Sequence, residues 1–168
     1  MVRWRSLLVA SALAFGAAAC GPDLDLSKAL ELKVIESGYY DAGLVDGKAH
    51  LLPSLTFELH NNSDAPISSV LLLLSYYQVG ADGEFDSLQA TGMDSEGVAP
   101  GKSTAPIVAR AAHGYTLEGA RVDFFTNRLF QDMTVKVFAK KRAGYMPLGE
   151  FKIDRRILEP SGKTPGAR

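Results

Sequence analysis

Cysteine is almost missing from this chain: Cys20 is the only one among 168 residues. An intrachain disulfide is therefore excluded, and so is a cysteine-built metal site in the folded domain. Histidine occurs only at His50, His60 and His113. None of the three stands in an HxH or HExxH pattern, so a zinc site would require three separate elements and an acidic partner to converge. An excess of positive charge is lacking too. Lys and Arg number 18 against 19 Asp and Glu, for a formal net charge of −1. That balance argues against nucleic acid as a partner, which usually calls for a basic domain. Nor does any apolar run reach the ~20 residues of a membrane-spanning helix.

What is present suits one ordinary folded domain. The chain is 46% hydrophobic and 22% charged, which is a globular rather than a disordered composition. A domain of about 150 residues buries roughly 68–70% of its unfolded surface and needs no disulfide or metal to hold it.

The N-terminus is the most informative segment. Met1 to Arg5 is short and carries Arg3 and Arg5. Leu7 to Phe15 is apolar apart from Ser11, and Gly16 to Ala19 is small throughout. Positive, then apolar, then small is the layout of a secretory signal peptide. The arginines stay with the anionic cytoplasmic leaflet while the apolar stretch enters the bilayer. An uncleaved anchor is the competing reading, but Leu7 to Ala19 is too short to span.

Ala17-Ala18-Ala19-Cys20-Gly21 resembles the lipobox of bacterial lipoproteins, although leucine is commoner at the place of Ala17. The resemblance implies that the Cys20 thiol receives a diacylglyceryl group, that the signal is cut before it, and that the new amino terminus is acylated. By analogy with enteric lipoproteins, Gly21 rather than Asp after the cysteine implies an outer-membrane location facing the periplasm. The alternative is a secreted protein cut after an A-x-A site, with a free thiol. Each buried CH₂ contributes ~0.8 kcal/mol, so two or three acyl chains make a durable anchor.

The expected organisation is a signal over 1–19, a lipid-anchored tether over 20–28, a β domain over 29–158 and a disordered tail over 159–168. Asp25 or Ser27 offers a cap for a brief helical turn in the tether. Period-two alternation dominates the middle. Leu30, Leu32 and Val34 form one apolar row, and Leu55, Phe57 and Leu59 another, before Asn61-Asn62-Ser63-Asp64 turns the chain. Ile67 to Tyr77 is the most apolar run and predicts a long strand buried on both faces, with a bend or bulge. Its row Val70, Leu72, Leu74 and Tyr76 lines one side. Asp82-Gly83 and Pro100-Gly101 mark turns. Further strands are expected over Ser103 to Arg110, Arg121 to Phe125, Thr134 to Ala139 and Leu148 to Asp154, with Gly144 turning the last two into a hairpin. Short helical turns are possible over Tyr115 to Gly119 and Asn127 to Asp132. About seven strands without a long helix give an all-β chain, an antiparallel β-sandwich. One sheet is expected to hold the Leu55 and Ile67 strands, and the other the C-terminal hairpin.

Part of this stretch resembles a known family. Leu55-Thr56-Phe57-Glu58-Leu59-His60-Asn61-Asn62-Ser63-Asp64-Ala65-Pro66-Ile67 is similar to the strand, polar turn and Pro-Ile restart of FxLYD-like, immunoglobulin-like extracytoplasmic domains. Tyr76-Tyr77, Asp82-Gly83 and Val98-Ala99-Pro100-Gly101-Lys102-Ser103 resemble their later hairpin and turn. The resemblance implies an immunoglobulin-like sandwich that binds or spaces envelope components without catalysis. It covers Leu55 to Val108 and carries over no functional residue.

Motifs for chemistry are weak. Gly97 to Ser103 invites a P-loop reading, but only three residues separate its glycines, Pro100 lacks an amide, and a strand rather than a helix follows. Asp82, Glu84 and Asp86 have the alternate spacing of a calcium loop, yet its sixth and twelfth positions hold Ser87 and Met93. No G-x-S-x-G elbow is present. No catalytic residue, metal or cofactor is expected.

Two surface features remain. Lys136, Lys140, Lys141, Arg142, Lys152, Arg155 and Arg156 crowd the C-terminal part. If their strands pair, several could form one patch that touches anionic headgroups or docks an acidic partner. The bland alternative is a solvated sheet face whose lysines block aggregation. Phe124 and Phe125 would point to opposite faces of a strand, which leaves Phe125 as a candidate partner contact. The expectation is thus a lipid-anchored envelope module with a protein partner. A carrier of a small apolar ligand and a hydrolase with dispersed catalytic residues are the alternatives.

Overall fold

The computed structural model describes residues 24–118, 121–141 and 144–159. The expected signal peptide, Cys20, Arg142 and the tail from 160 onward lie outside the described residues.

The chain enters through one helical turn, α1 (Leu26–Ala29). Asp25 caps it, accepting the Ser27 backbone N–H at 3.1 Å, which satisfies one of the orphan donors of a helix start. Leu26 is fully buried, so the C-terminal end of the expected tether is docked against the domain.

Nine strands follow among the described residues: β1 (Leu30–Val45), β2 (Lys48–Asn61), β3 (Val70–Gln78), β4 (Asp86–Met93), β5 (Ile107–Arg110), β6 (Tyr115–Leu117), β7 (Met133–Lys141), β8 (Gly144–Lys152) and β9 (Ile157–Leu158). They form two sheets. One runs β5-β2-β1-β9, with β6 also pairing β2, and the other runs β4-β3-β7-β8. All pairings are antiparallel except β1 with β9. The protein is a mostly β fold of two sheets around one core.

The inner rows are those that alternation predicts. Leu55, Phe57 and Leu59 of β2 face Val70, Leu72, Leu74 and Tyr76 of β3, all without solvent exposure. The turn after β2 is organised by Asn61, which is itself buried. Its amide donates to the carbonyls of Ala65 and Val98, and its oxygen accepts from Ser63. A buried amide with its polar atoms satisfied fixes a turn without penalty.

Four expectations are overturned. The Leu55 strand and the Ile67 run lie in different sheets, and the C-terminal hairpin β7–β8 joins the latter. β3 is fully buried only along its inner row: on the outward row Leu71 is 50% exposed and Leu73 and Tyr77 are half-buried, and only Ser75, at 3%, is closed off. Arg121 to Phe125 is no strand but part of a 3₁₀ helix, Arg121–Thr126, whose phenylalanines turn into an aromatic cluster. Tyr115 to Leu117 is strand β6 rather than a helical turn.

The first hairpin is the most extended element. β1 has 16 residues and β2 has 14. They meet at Asp46-Gly47, where both residues take positive φ, 50° and 76°, as the tight hairpin turn matching strand twist requires. Bulges at Val34/Glu36 and Asp41/Leu44 shift its register.

The molecule has two distinct ends. Near the start of β1, Leu26 meets Met146 of β8. Near the middle of β1, Ser37 meets Lys152 and Asp154 at the far end of β8. Beyond that level β1 and β2 continue as an arm. β6 extends the arm's sheet beside β2, Phe124 and Phe125 of the 3₁₀ helix pack on Tyr39, and Ala49 and Leu51 are buried at this level.

Candidate functional site

The outer face of the β4-β3-β7-β8 sheet is the strongest candidate. Side chains alternate along a strand, so the residues of β7 between its buried Met133, Val135, Val137 and Ala139 point outward. These are Thr134, Lys136, Phe138 and Lys140. Register places Leu71 and Tyr145 beside Lys140, and Leu73 and Pro147 beside Phe138. The Lys136 ammonium lies 4.8 Å from the Tyr77 ring centroid, and that of Lys140 lies 5.0 Å from the Tyr145 ring. Both distances are within cation–π range. Lys136 also approaches Glu150 at 4.0 Å. Among the described residues, no carboxylate pairs with Lys140 or Lys141.

The predicted basic residues therefore divide. Lys136 and Lys140 share this face, and Lys141 lies at the hairpin tip opposite Gly144. Arg142 lies outside the described residues. Arg155 sits at the other end of β7, where it makes a two-pronged contact with Asp132 at 2.8 and 2.9 Å. These hydrogen bonds hold the Asp132 carboxyl below its ordinary range, against a smaller opposing effect of burial and with help from Lys152. Arg155 also lies over the Phe130 ring at 5.4 Å. It belongs to a structural cluster rather than to the Lys136–Lys140 face.

Phe125 is half-buried, and Phe124 is 2% exposed. Both pack on Tyr39, with ring centroids at 5.6 and 5.2 Å, together with Phe130 and Tyr115. The expected opposite-facing pair is absent, because a 3₁₀ turn brings both rings to one side. Aromatic edge-to-face contacts of this kind are core packing. A cavity of about 70 Å³ remains beside Tyr115, Phe124 and Phe130, with the exposed Leu129 at its edge.

A larger groove of about 350 Å³ opens along the sandwich edge, between the end of β4 and the 103–107 segment. Its walls mix Thr91, Met93, Asp94, Val98, Ser103 and Ile107. The histidines stay apart. His60 contacts the Ser103 hydroxyl at 3.0 Å, His50 meets Thr116, and His113 meets Asp86 at 3.4 Å. Burial pushes the Asp86 carboxyl up, but the His113 and Ser87 N–H groups outweigh it, and the net shift is downward. The His113 side chain is largely exposed, and neither cavity is lined by a histidine. Among the described residues, no three His, Cys, Asp or Glu side chains cluster as metal ligands, and no helix is long and apolar enough to cross a membrane.

Sequence reasoning missed the β1–β2 arm, although Asp46-Gly47 is a hairpin signal. Its tip exposes Leu44 at 65% and Val45 at 50%.

No family model matches the chain, and no curated protein matches its sequence.

Proposed function

We propose that this chain is a lipid-anchored module of the bacterial envelope, tied to the outer membrane through Cys20 and facing the periplasm. Its two-sheet domain, of immunoglobulin-like type, acts without catalysis as a binding or spacer module for another envelope protein. The observation that carries this reading is the polarity of the molecule. The N-terminal chain joins the domain at the Leu26–Met146 end, and the β1–β2 arm projects from the opposite end. Sixteen strand residues at ~3.3 Å each place Leu44 and Val45 roughly 50 Å from that attachment. The signal-like run over 1–19 and the lipobox-like residues at Cys20 supply the anchoring half of the reading. Leu44 and Val45, exposed at the arm tip, are the contact this reading assigns to the partner. A small-molecule carrier is the second reading, and the 350 Å³ groove beside β4 favours it.

The anchoring is tested by palmitate labelling and fractionation of cells carrying the wild-type chain or Cys20→Ala. Label in the wild type alone, with the variant shifted to the soluble fraction, is the expected result. The binding role is tested with a photo-crosslinker at Leu44 in intact cells. A discrete adduct with one envelope protein, absent when the crosslinker replaces Val108 on the sheet face, is expected. No adduct from the arm would reject it.

A further inference from the structure

We propose that the paired strand ends Lys140–Lys141 of β7 and Gly144–Tyr145 of β8 rest on the membrane, with Lys140, Lys141 and the Tyr145 ring seated among anionic lipid headgroups. The proposal rests on Cys20 being the lipid anchor, and it adds which end of the domain meets the bilayer. The buried Leu26 lies six residue steps after Cys20, and fully extended that span reaches only about 20 Å. Whatever surface the anchor occupies, Leu26 lies within that distance of it. Leu26 is fixed to the hairpin, since its backbone N–H points to the Met146 sulfur at 3.2 Å, and α1 packs on β7 and β8. Met146 pairs with Ala139, and its neighbours pair as Tyr145 with Lys140 and Gly144 with Lys141. The short tether thus delivers the β7–β8 end of the domain to the bilayer, together with Lys28 of α1 and Lys102 beside the end of β2.

Charge and side-chain type fit that neighbour. Lys140 and Lys141 have no carboxylate partner among the described residues, and Tyr145 is 45% exposed with Lys140 over its ring. A cation beside an amphipathic ring is suited to the headgroup layer. Carboxylates at the same end are set aside from the tip. Asp25 is paired with Lys28 at 3.2 Å, and Glu31 at the start of β1 with Lys33 at 3.7 Å. Asp94 and Glu96 follow β4, two strands away from β7, or about 10 Å, and Asp64 lies in the turn after β2. Arg155 and the arm, at the opposite end, are kept off the surface.

The test uses the mature lipidated chain reconstituted into phosphatidylcholine vesicles with or without phosphatidylglycerol. Trp4 is the only tryptophan and lies in the segment expected to be removed, so Tyr145→Trp introduces a single emitter. In vesicles with phosphatidylglycerol its emission is expected to shift to the blue and to be quenched by lipids brominated near the headgroup. High salt, or Lys140→Glu with Lys141→Glu, is expected to cut that quenching severalfold, about fivefold for each lysine's contribution. Leu129→Trp, at the far end of β7, is expected to remain open to acrylamide in every vesicle. If the chain is membrane-bound but the Tyr145→Trp indole is as open to acrylamide as the Leu129→Trp indole, the hairpin proposal is overturned and the anchor stands. Quenching that ignores lipid charge, salt and both lysine reversals overturns the anionic-headgroup assignment. A chain that takes up no palmitate and stays in the aqueous phase overturns the anchor and the hairpin contact together.

Discussion

The Tyr76 hydroxyl donates to the Ala109 carbonyl oxygen at 3.1 Å, across the core from β3 to β5. It is a direct polar link between the two sheets, and both residues are fully buried. Desolvation pushes the Tyr76 hydroxyl far above its ordinary pKa, so it stays protonated and remains a donor at any pH the fold tolerates. Tyr76→Phe keeps the ring and removes the bond between the sheets, leaving the Ala109 carbonyl only its ladder place opposite Leu55 of β2. The expected loss is about 1–2 kcal/mol, read as a lower urea midpoint with an unchanged slope.

Tyr39 predicts the opposite outcome from the same substitution. Its ring is equally buried, and it anchors Phe124, Phe125 and Phe130. Its hydroxyl, however, has no hydrogen-bond partner among the described residues. An unpaired buried hydroxyl costs free energy. Tyr39→Phe is therefore expected to be neutral or stabilising by up to about 1 kcal/mol, whereas Tyr39→Ala, which empties the cluster, costs about 3–5 kcal/mol. A Tyr39→Phe midpoint as low as that of Tyr76→Phe would reject this account.

These contrasts also show what the sequence could reveal. Alternation exposed the inner rows of β2 and β3, because a half-buried strand must repeat every two residues. It could not tell which sheet each strand joins, because partner choice depends on contacts between distant segments. The resulting error placed β2 and β3 side by side when they face each other. β1 was legible only to Val34, where the bulge before Glu36 breaks the repeat and leaves Val34 and Ile35 exposed. β4 was not legible at all. Its Ser87-Leu88-Gln89-Ala90-Thr91-Gly92 is small and polar, as suits an edge strand with one shallow face. Arg121 to Phe125 has the composition of a short strand but folds as a 3₁₀ helix. The rings there answer to Tyr39 and Tyr115, which lie far away in sequence. Within the basic patch, Lys136 and Lys140 are an even number of residues apart on one strand, so their shared face was readable. The position of Arg155 was not, because it depends on the chain turning at Ile153–Arg156 to lay β9 against β1.

The pairing of Arg155 with Asp132 predicts a pH dependence with a definite sign. The guanidinium lowers the Asp132 pKa in the fold, so the folded state binds the proton less tightly than the unfolded chain does. The stabilisation is complete above the unfolded value of about 3.9 and is lost as pH falls through the lower folded value. Asp25, Asp86 and Glu118 are shifted in the same direction and add to the acid lability of the wild type. Comparison with Asp132→Asn isolates one group. Thermal melting is expected to show the wild type ahead at about pH 6, with the gap closing below about pH 4. A gap that persists unchanged into acid would mean that the Asp132 charge contributes nothing.

Two glycines of one turn give the sharpest test of the groove wall. Gly97 and Gly101 both take positive φ, 70° and 68°, so alanine at either is strained by about 1–2 kcal/mol. They differ in their surroundings. A Cβ on Gly97 would lie 2.3 Å from the Ile67 carbonyl oxygen and 2.6 Å from the Ser68 Cβ, whereas nothing lies within 4 Å of one on Gly101. The Ile67 carbonyl is the acceptor for Val98 N–H at 2.7 Å, and Ile67 N–H returns the bond at 3.0 Å. This bridge pins the fully buried Ile67 to the 97–98 wall of the groove. Gly97→Ala must push the two segments apart, which breaks the bridge and loosens Ile67. Its expected cost exceeds that of Gly101→Ala by about 2 kcal/mol or more. Hydrogen exchange should show the Ile67 and Val98 amides losing protection in Gly97→Ala alone. Equal midpoints for the two variants would mean that the close approach at Gly97 has been overstated and that backbone conformation is the whole effect.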